Sequence, residues 1–289
     1  MKPIKKIIKE EMDIQKDVHE LTDYIFNEIK DIKIDEGSEI QKIIKTPSNI
    51  RDTILVDYIL LYLSNGDNDG SFVFGETKIV NGFYRVSLKL KINMDEIDKL
   101  KSVISHELNH VYVYLKKYKT KQKTLKYNQV FHMLKHEFNQ YEPLKNFIHL
   151  LYLNLPEEIQ ARIQETQVIL DSINNNDYNE VIRELYRYQP MNDGVRMINF
   201  NTKDILKLDE SVLKQFIKTF NINKTYQGLE DNKINGIKQF FNYWCRYINK
   251  GGDKLNKKIL KLVVKKYHKN ENNLYEGIHT ELLKEIFYT

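Results

Sequence analysis

The chain has 289 residues, with 45 Lys and Arg, 40 Asp and Glu, eight His and one Cys. This length can bury a sizeable core, and a hydrophobic content of 41% excludes a disordered chain. The net charge of only +5 gives no indication of a nucleic-acid partner, so we do not expect one. The single Cys245 excludes an intramolecular disulfide and every Cys-based zinc finger, so His and carboxylates must hold any transition metal.

The sequence shows no targeting or membrane segment. Charges interrupt the first twenty residues, and the longest apolar stretch, 58–63, is far too short to span a bilayer. We therefore expect no membrane partner and a cytoplasmic location by default, with association with a virion left open. The oligomeric state is not indicated.

The first third of the chain combines a helix with strand-like segments. An amphipathic helix is expected over 8–32, and the apolar run 54–63 suits either a buried strand or a helix. Two further runs, 71–80 and 83–92, are joined by Asn81-Gly82, the dipeptide typical of a tight hairpin. A helix with a regular apolar face is predicted next, over 94–117.

From residue 127 onward the pattern is helical, with breaks at Pro, Asn-rich and Gly-Gly segments. The predicted helices cover 127–141, 143–153, 156–173, 177–188, 204–220, 230–249, 254–269 and 274–287. The segment 191–202 suits either a short strand or a linker. We predict a mostly helical α+β fold, with a small N-terminal sheet and hairpin packed on the 94–117 helix. The domains expected are 1–190 and a helical C-terminal part, 191–289.

One motif carries chemistry: His106-Glu107-Leu108-Asn109-His110, an H-E-x-x-H on the 94–117 helix. Two His four residues apart lie on one helix face, so both imidazoles can reach one metal ion. Zn²⁺ suits imidazole ligands, and Glu107 is placed to take a proton from a zinc-bound water as it attacks a carbonyl. The alternative is a pair of His that only contacts solvent or the core.

A strand over 84–92 followed by the helix that carries His106-Glu107-Leu108-Asn109-His110 resembles the zincin metallopeptidases. The resemblance covers roughly residues 54–173. It implies that His106 and His110 are zinc ligands, that Glu107 is the general base, and that a peptide or protein is the substrate.

The resemblance also limits which residue could be the third zinc ligand. Metzincins place Gly three residues and His six residues after the second His, where this chain has Val113 and Lys116. A Glu on a later helix, the gluzincin arrangement, is the remaining common choice. Glu158 is preferred to Glu157, because Glu158 with Ala161 resembles the E-x-x-A pattern of several such families. The alternative is that both acids only complement the helix dipole.

Three further residues are candidates near this site. Glu165 lies seven residues after Glu158 on the same face and could orient a ligand His. Tyr186 and Tyr188 follow the same helix and could stabilise an oxyanion, with packing or surface roles as the alternative.

Two other patterns in the sequence favour structural roles. His132 and His136, followed by Glu137, repeat the four-residue His spacing but lack the internal Glu, which favours a solvated helix face. The Lys-rich run 254–269 could bind an acidic surface or nucleic acid, but is more often the solvated face of a helix.

The sequence therefore predicts a zinc-dependent metallopeptidase. Two alternatives stay open. One is a zincin-fold structural or interaction protein without turnover, for example a phage virion component. The other is a DNA-associated protease of the SprT-like kind, against which the absence of a Cys zinc ribbon counts.

Overall fold

The structure, a computed structural model, describes residues 4–33, 38–45, 54–63, 69–74, 84–92, 97–119, 127–174, 177–222 and 236–267. The chain divides into two compact units. Unit 1 consists of residues 1–122 and 160–174, and unit 2 consists of residues 123–159 and 175–289. The division expected at residue 190 falls inside a helix of unit 2.

Helices dominate the described residues, which form nine α-helices, a short 3₁₀ turn at Ile205–Lys207 and four strands. The helices are α1 (Ile4–Ile29), α2 (Ile97–Lys119), α3 (Tyr127–Glu137), α4 (Glu142–Leu153), α5 (Pro156–Ser172), α6 (Tyr178–Leu185), α7 (Gln189–Ile198), α8 (Glu210–Ile222) and α9 (Ile237–Tyr267). The strands are β1 (Glu39–Lys45), β2 (Ile54–Leu63), β3 (Asp69–Phe74) and β4 (Tyr84–Ile92). Among these helices, none combines the length and the apolar content needed to cross a bilayer.

The strands pair in the order β1-β2-β4-β3. Strands β1 and β2 are antiparallel, β2 and β4 are parallel, and β3 and β4 are antiparallel. The ladder between β3 and β4 pairs Phe74 with Val86 and Asp69 with Lys91. Strand β4 therefore lies inside the sheet and β3 lies at its edge.

The predicted fold class, α+β with a small N-terminal sheet and hairpin on the motif helix, is wrong in its β part. A two-residue turn at Asn81-Gly82 would place Val86 opposite Thr77, whereas the ladder places it opposite Phe74, a shift of three residues. The segment 75–83, which includes the predicted turn, lies outside the described residues. Helices make up most of the described chain, and β4 is the only strand with described side chains, so only the mostly helical character fits.

The core of unit 1 joins α1, α2 and β4. Leu88, Leu90 and Ile92 alternate with the more exposed Lys89 and Lys91, so one face of β4 is buried. The buried side chains of this core are Val18, Leu21, Ile25, Ile29, Leu88, Leu90, Ile92, Leu100, Ile104, Leu108, Val111 and Tyr112. They hold the apolar face of α2 in place and leave its other face to carry polar residues.

The core of unit 2 is aromatic. Phe216 contacts Phe138, Phe147 and Phe241, with ring centroids 5.0–5.8 Å apart. Trp244 is 1% exposed and packs against Phe220 with a ring separation of 5.1 Å. Trp244 and its neighbours Phe240 and Phe241 all belong to this core.

Helix α9 is continuous across Gly251-Gly252, where the sequence predicted a break. The two glycines serve close packing, because a Cβ on Gly252 would lie 2.7 Å from the carbonyl oxygen of Gly194 on α7. A Cβ on Gly251 would lie 1.7 Å from the side-chain oxygen of Asn154. The segment 191–202, expected to be a strand or a linker, instead contains most of α7.

Replacement of Gly252 by Ala tests this packing. Alanine normally stabilises a helix interior by about 1 kcal/mol relative to glycine. Here the added methyl group has no room, so we expect Gly252→Ala to lower the free energy of unfolding by about 1–3 kcal/mol, measured by urea denaturation. Lys238→Ala on the exposed side of α9 is the control, and a Gly252→Ala protein as stable as this control would contradict the close contact.

Candidate metal centre

Helix α2 positions the H-E-x-x-H motif. Its apolar residues Leu100, Ile104 and Leu108 are fully buried in the core of unit 1. His106 is 8% exposed and Glu107 is 9% exposed, while His110 is half-buried. The motif side chains are therefore anchored by a rigid helix and shielded from bulk water.

The two histidines face each other. The Nε2 atoms of His106 and His110 are 3.1 Å apart, and the ring centroids are 4.8 Å apart with an interplanar angle of 76°. Because the residues are one helical turn apart, both imidazoles project from the same side of α2. Two ring nitrogens that converge in this way can share one metal ion.

Glu158 completes a group of three ligand-type side chains. Ligand atoms of His106, His110 and Glu158 all lie within 4.8 Å of one another. Glu158 is 2% exposed and stands in the first turn of α5, which begins at Pro156, and Ala161 one turn later is fully buried. Glu157 is half-buried and is not part of this group.

The chemistry of this donor set fits a transition metal. Four tetrahedral ligands bonded to Zn²⁺ at about 2.0–2.1 Å lie roughly 3.3–3.4 Å from one another. The 3.1 Å between the imidazole nitrogens is close to that value, and the whole group spans no more than 4.8 Å. Buried His106, half-buried His110 and buried Glu158 could thus hold a metal ion.

Glu165 contacts the other ring nitrogen of His106. Oε2 of Glu165 lies 3.1 Å from Nδ1 of His106, and a carboxylate can only accept, so Nδ1 carries the proton. This tautomer leaves Nε2 of His106 with its lone pair, which is the form a metal requires.

Arg162 holds Glu165 in turn. Its Nη1 donates to the same Oε2 of Glu165 at 2.9 Å, and both side chains are at least nine-tenths buried. We did not predict Arg162 from the sequence. The available signal was its three-residue spacing from Glu165 on a predicted helix, which is common among surface pairs and carries little information.

The pKa of Glu165 reflects these contacts. Burial by itself would raise the pKa of this carboxyl, but the Arg162 guanidinium and the hydrogen bond from His106 outweigh burial and hold the pKa below its ordinary value. Glu165 is therefore ionised at neutral pH and keeps a negative charge beside His106.

The two candidate tyrosines differ from each other. Burial raises the pKa of Tyr186 to about 12, so its hydroxyl stays protonated and able to donate. Among the described residues, the Tyr186 hydroxyl has no hydrogen-bond partner. Tyr188 is half-buried and is the N-cap residue of α7, where its side chain makes no capping hydrogen bond. That Tyr186 or Tyr188 donates to an oxyanion stays a prediction.

The second pair of histidines has a surface character where it is described. His136 is exposed, and the side chain of His132 lies outside the described residues. Glu137 accepts hydrogen bonds from Gln215 and Thr219, which ties it to α8. The exposure of His136 fits the predicted solvated face, whereas Glu137 contacts α8.

Comparisons with known proteins add no family. Neither the models of protein families, nor the curated proteins, nor the solved structures contain a match to this chain.

The third ligand can be tested with a pair of neighbouring substitutions. We expect Glu158→Gln to weaken Zn²⁺ binding by at least about tenfold, because an amide oxygen replaces a charged ligand. Glu157→Gln, a matched change one residue earlier, should leave the affinity unchanged. Competition with a chromogenic chelator measures both, and equal losses in the two variants would exclude Glu158 as a specific ligand.

The paired Glu165 predicts a pH dependence of stability. A carboxyl whose pKa is lowered on folding stabilises the protein above its unfolded pKa of about 4.3, and this contribution is lost as pH falls through the lower folded pKa. The metal-free protein should therefore lose stability as pH falls below about 5, and Glu165→Gln should lose less over the same range.

Urea denaturation of the metal-free protein across this pH range measures the effect. Glu142→Gln is the control, since Glu142 forms an exposed pair with Lys145 that contributes little. A Glu165→Gln protein with the same pH dependence as the parent would show that the buried pair does not stabilise the ionised carboxyl.

Proposed function

We propose that this chain is a zinc-dependent peptidase. The observation that supports the proposal most directly is the convergence of His106, His110 and Glu158 beside Glu107 on the motif helix. Two neutral imidazoles and one carboxylate are a ligand set that suits Zn²⁺ in hydrolytic sites.

In this proposal His106, His110 and Glu158 hold the ion. When bound, Zn²⁺ supplies Lewis acidity, which favours ionisation of a water molecule and polarises a carbonyl group. The single ligand carboxylate leaves one positive charge uncompensated at the ion, which suits a site that must stabilise a developing oxyanion.

Glu107 acts as general base and then as general acid. It is adjacent to His106 in sequence and 9% exposed, so its carboxylate works in a largely desolvated setting. It accepts a proton from the attacking water and delivers that proton to the nitrogen of the departing amine. The peptide C–N bond then breaks, while the carbonyl carbon keeps its new bond to the oxygen of the water, which completes hydrolysis.

Glu165 and Arg162 act through His106. The carboxylate of Glu165 fixes the tautomer of His106, and the guanidinium of Arg162 fixes the carboxylate. Residues that orient a metal-bound His in this way typically change metal affinity or activity by 10–100-fold when they are replaced. Both residues are positioning residues in this mechanism.

Replacement of Glu107 is the decisive test. We expect the purified protein to contain one zinc ion per chain and to cleave casein or a peptide library, with activity lost to a chelator and restored by Zn²⁺. Glu107→Gln should keep the zinc and lose about 10²–10⁴-fold in rate, because the carboxylate that moves the proton is gone.

Elemental analysis of the parent and Glu107→Gln separates metal loss from loss of the base, and Glu142→Gln controls for the surface charge change. Full activity in Glu107→Gln would contradict the mechanism. A parent protein that binds zinc and cleaves no peptide would instead support the zincin-fold interaction protein without turnover.

A further inference from the structure

The excess of positive over negative charge in this protein comes from one helix. Helix α9 contains nine Lys or Arg and a single acidic residue, Asp253, a formal charge of +8. Since the whole chain carries +5, the remainder carries −3. A modest net charge thus conceals a strongly basic element in unit 2.

Six of these cations form a row along one side of α9. They recur every three or four residues, which is the spacing that aligns side chains on a helix. All six are exposed: Arg246, Lys250, Lys254, Lys257, Lys261 and Lys265. We call this set the α9 basic row. It extends over about 28 Å at 1.5 Å per residue.

The opposite side of α9 is buried. Trp244, Ile248, Leu255, Ile259 and Val263 are each no more than 1% exposed. The helix is therefore held rigidly, and the basic row can only face outward. Lys257 pairs with Asp253 at 2.8 Å, so the sole acidic residue of α9 compensates one cation of the row.

We propose that the α9 basic row binds the phosphate backbone of nucleic acid. A straight row of exposed cations matches a polymer with regularly spaced negative charges, and each contacted phosphate releases counterions to favour binding. Tyr243, 37% exposed and one turn before Arg246, adds an aromatic ring at the end of the row. Cations beside an aromatic ring are the combination that holds single strands.

Other anionic partners fit less well. An interfacial helix binds a membrane through an exposed apolar face, and the apolar face of α9 is buried. Interfaces with proteins are depleted in Lys at their centre and depend on several apolar anchors, which the row does not offer. This inference does not depend on the metal centre or on peptidase activity.

The test is the salt dependence of binding by the full chain. Fluorescence anisotropy with a labelled 20-nucleotide single strand and a 20-base-pair duplex should show binding at 50 mM salt. If the six cations each contact a phosphate, affinity should fall about 10³-fold for the duplex and about 10²–10³-fold for the single strand between 50 and 200 mM salt. Absence of binding at 50 mM salt overturns the proposal.

Two matched variants assign binding to the row. The triple variant Lys250→Gln, Lys254→Gln, Lys261→Gln should lose about half of the logarithmic salt dependence, since half of the row is neutralised. The control Lys135→Gln, Lys203→Gln, Lys218→Gln removes the same charge from exposed sites elsewhere in unit 2 and should bind as the parent does. Equal losses in the two variants overturn the proposal, because net charge alone would then explain binding.

Vesicles that contain phosphatidylserine, and polyglutamate as a model acidic protein, serve as competitors in the same assay. Nucleic acid should remain bound at equal concentrations of negative charge. Displacement by the vesicles or by the acidic protein overturns the proposal in favour of that partner.

Discussion

The contact between His106 on α2 and Glu165 on α5 is the constraint on which the candidate site depends. The two residues are 59 positions apart in the chain, and their 3.1 Å hydrogen bond fixes α5 against the motif helix. The same helix carries Glu158 two turns earlier, so the contact that orients His106 also brings the third ligand-type side chain to it. The packing of α5 on α2 thus determines both the tautomer of His106 and the position of Glu158 beside the two histidines.

The charged side chains of this arrangement are buried, which has a cost in free energy. Arg162, Glu165 and Glu158 are each less than a tenth exposed, and an isolated charge in such a place costs several kcal/mol. Arg162 and Glu165 offset this cost for each other through a 2.9 Å contact. A divalent cation among His106, His110 and Glu158 would offset it for the carboxylate of Glu158. The site is therefore rigid because each buried charge depends on a specific partner.

Local periodicity was enough to predict α2, α4 and α5, because their apolar residues repeat at helical spacing and Pro marks two of the starts. It failed at Gly251-Gly252, which resembles a helix break until the approach of α7 is known. It also failed for the register of β3 on β4, which differs by three residues from the register that a tight turn at Asn81-Gly82 would set. Arg162 could not be predicted, since its importance comes from a partner that touches α2 only in the folded chain.

The net charge of the chain does not reveal how its charges are distributed. A net charge of +5 suggested an unremarkable surface, yet one helix of unit 2 carries +8 while the rest of the chain is negative overall. The Lys-rich run was visible in the sequence, but its length was underestimated because the helix was divided at Gly251-Gly252. Once α9 is one helix, Arg246 and Lys250 before the glycines align with Lys254 and its successors. Because α9 continues through Gly251-Gly252, where α7 packs closely against it, the cations before and after the glycines form one continuous row.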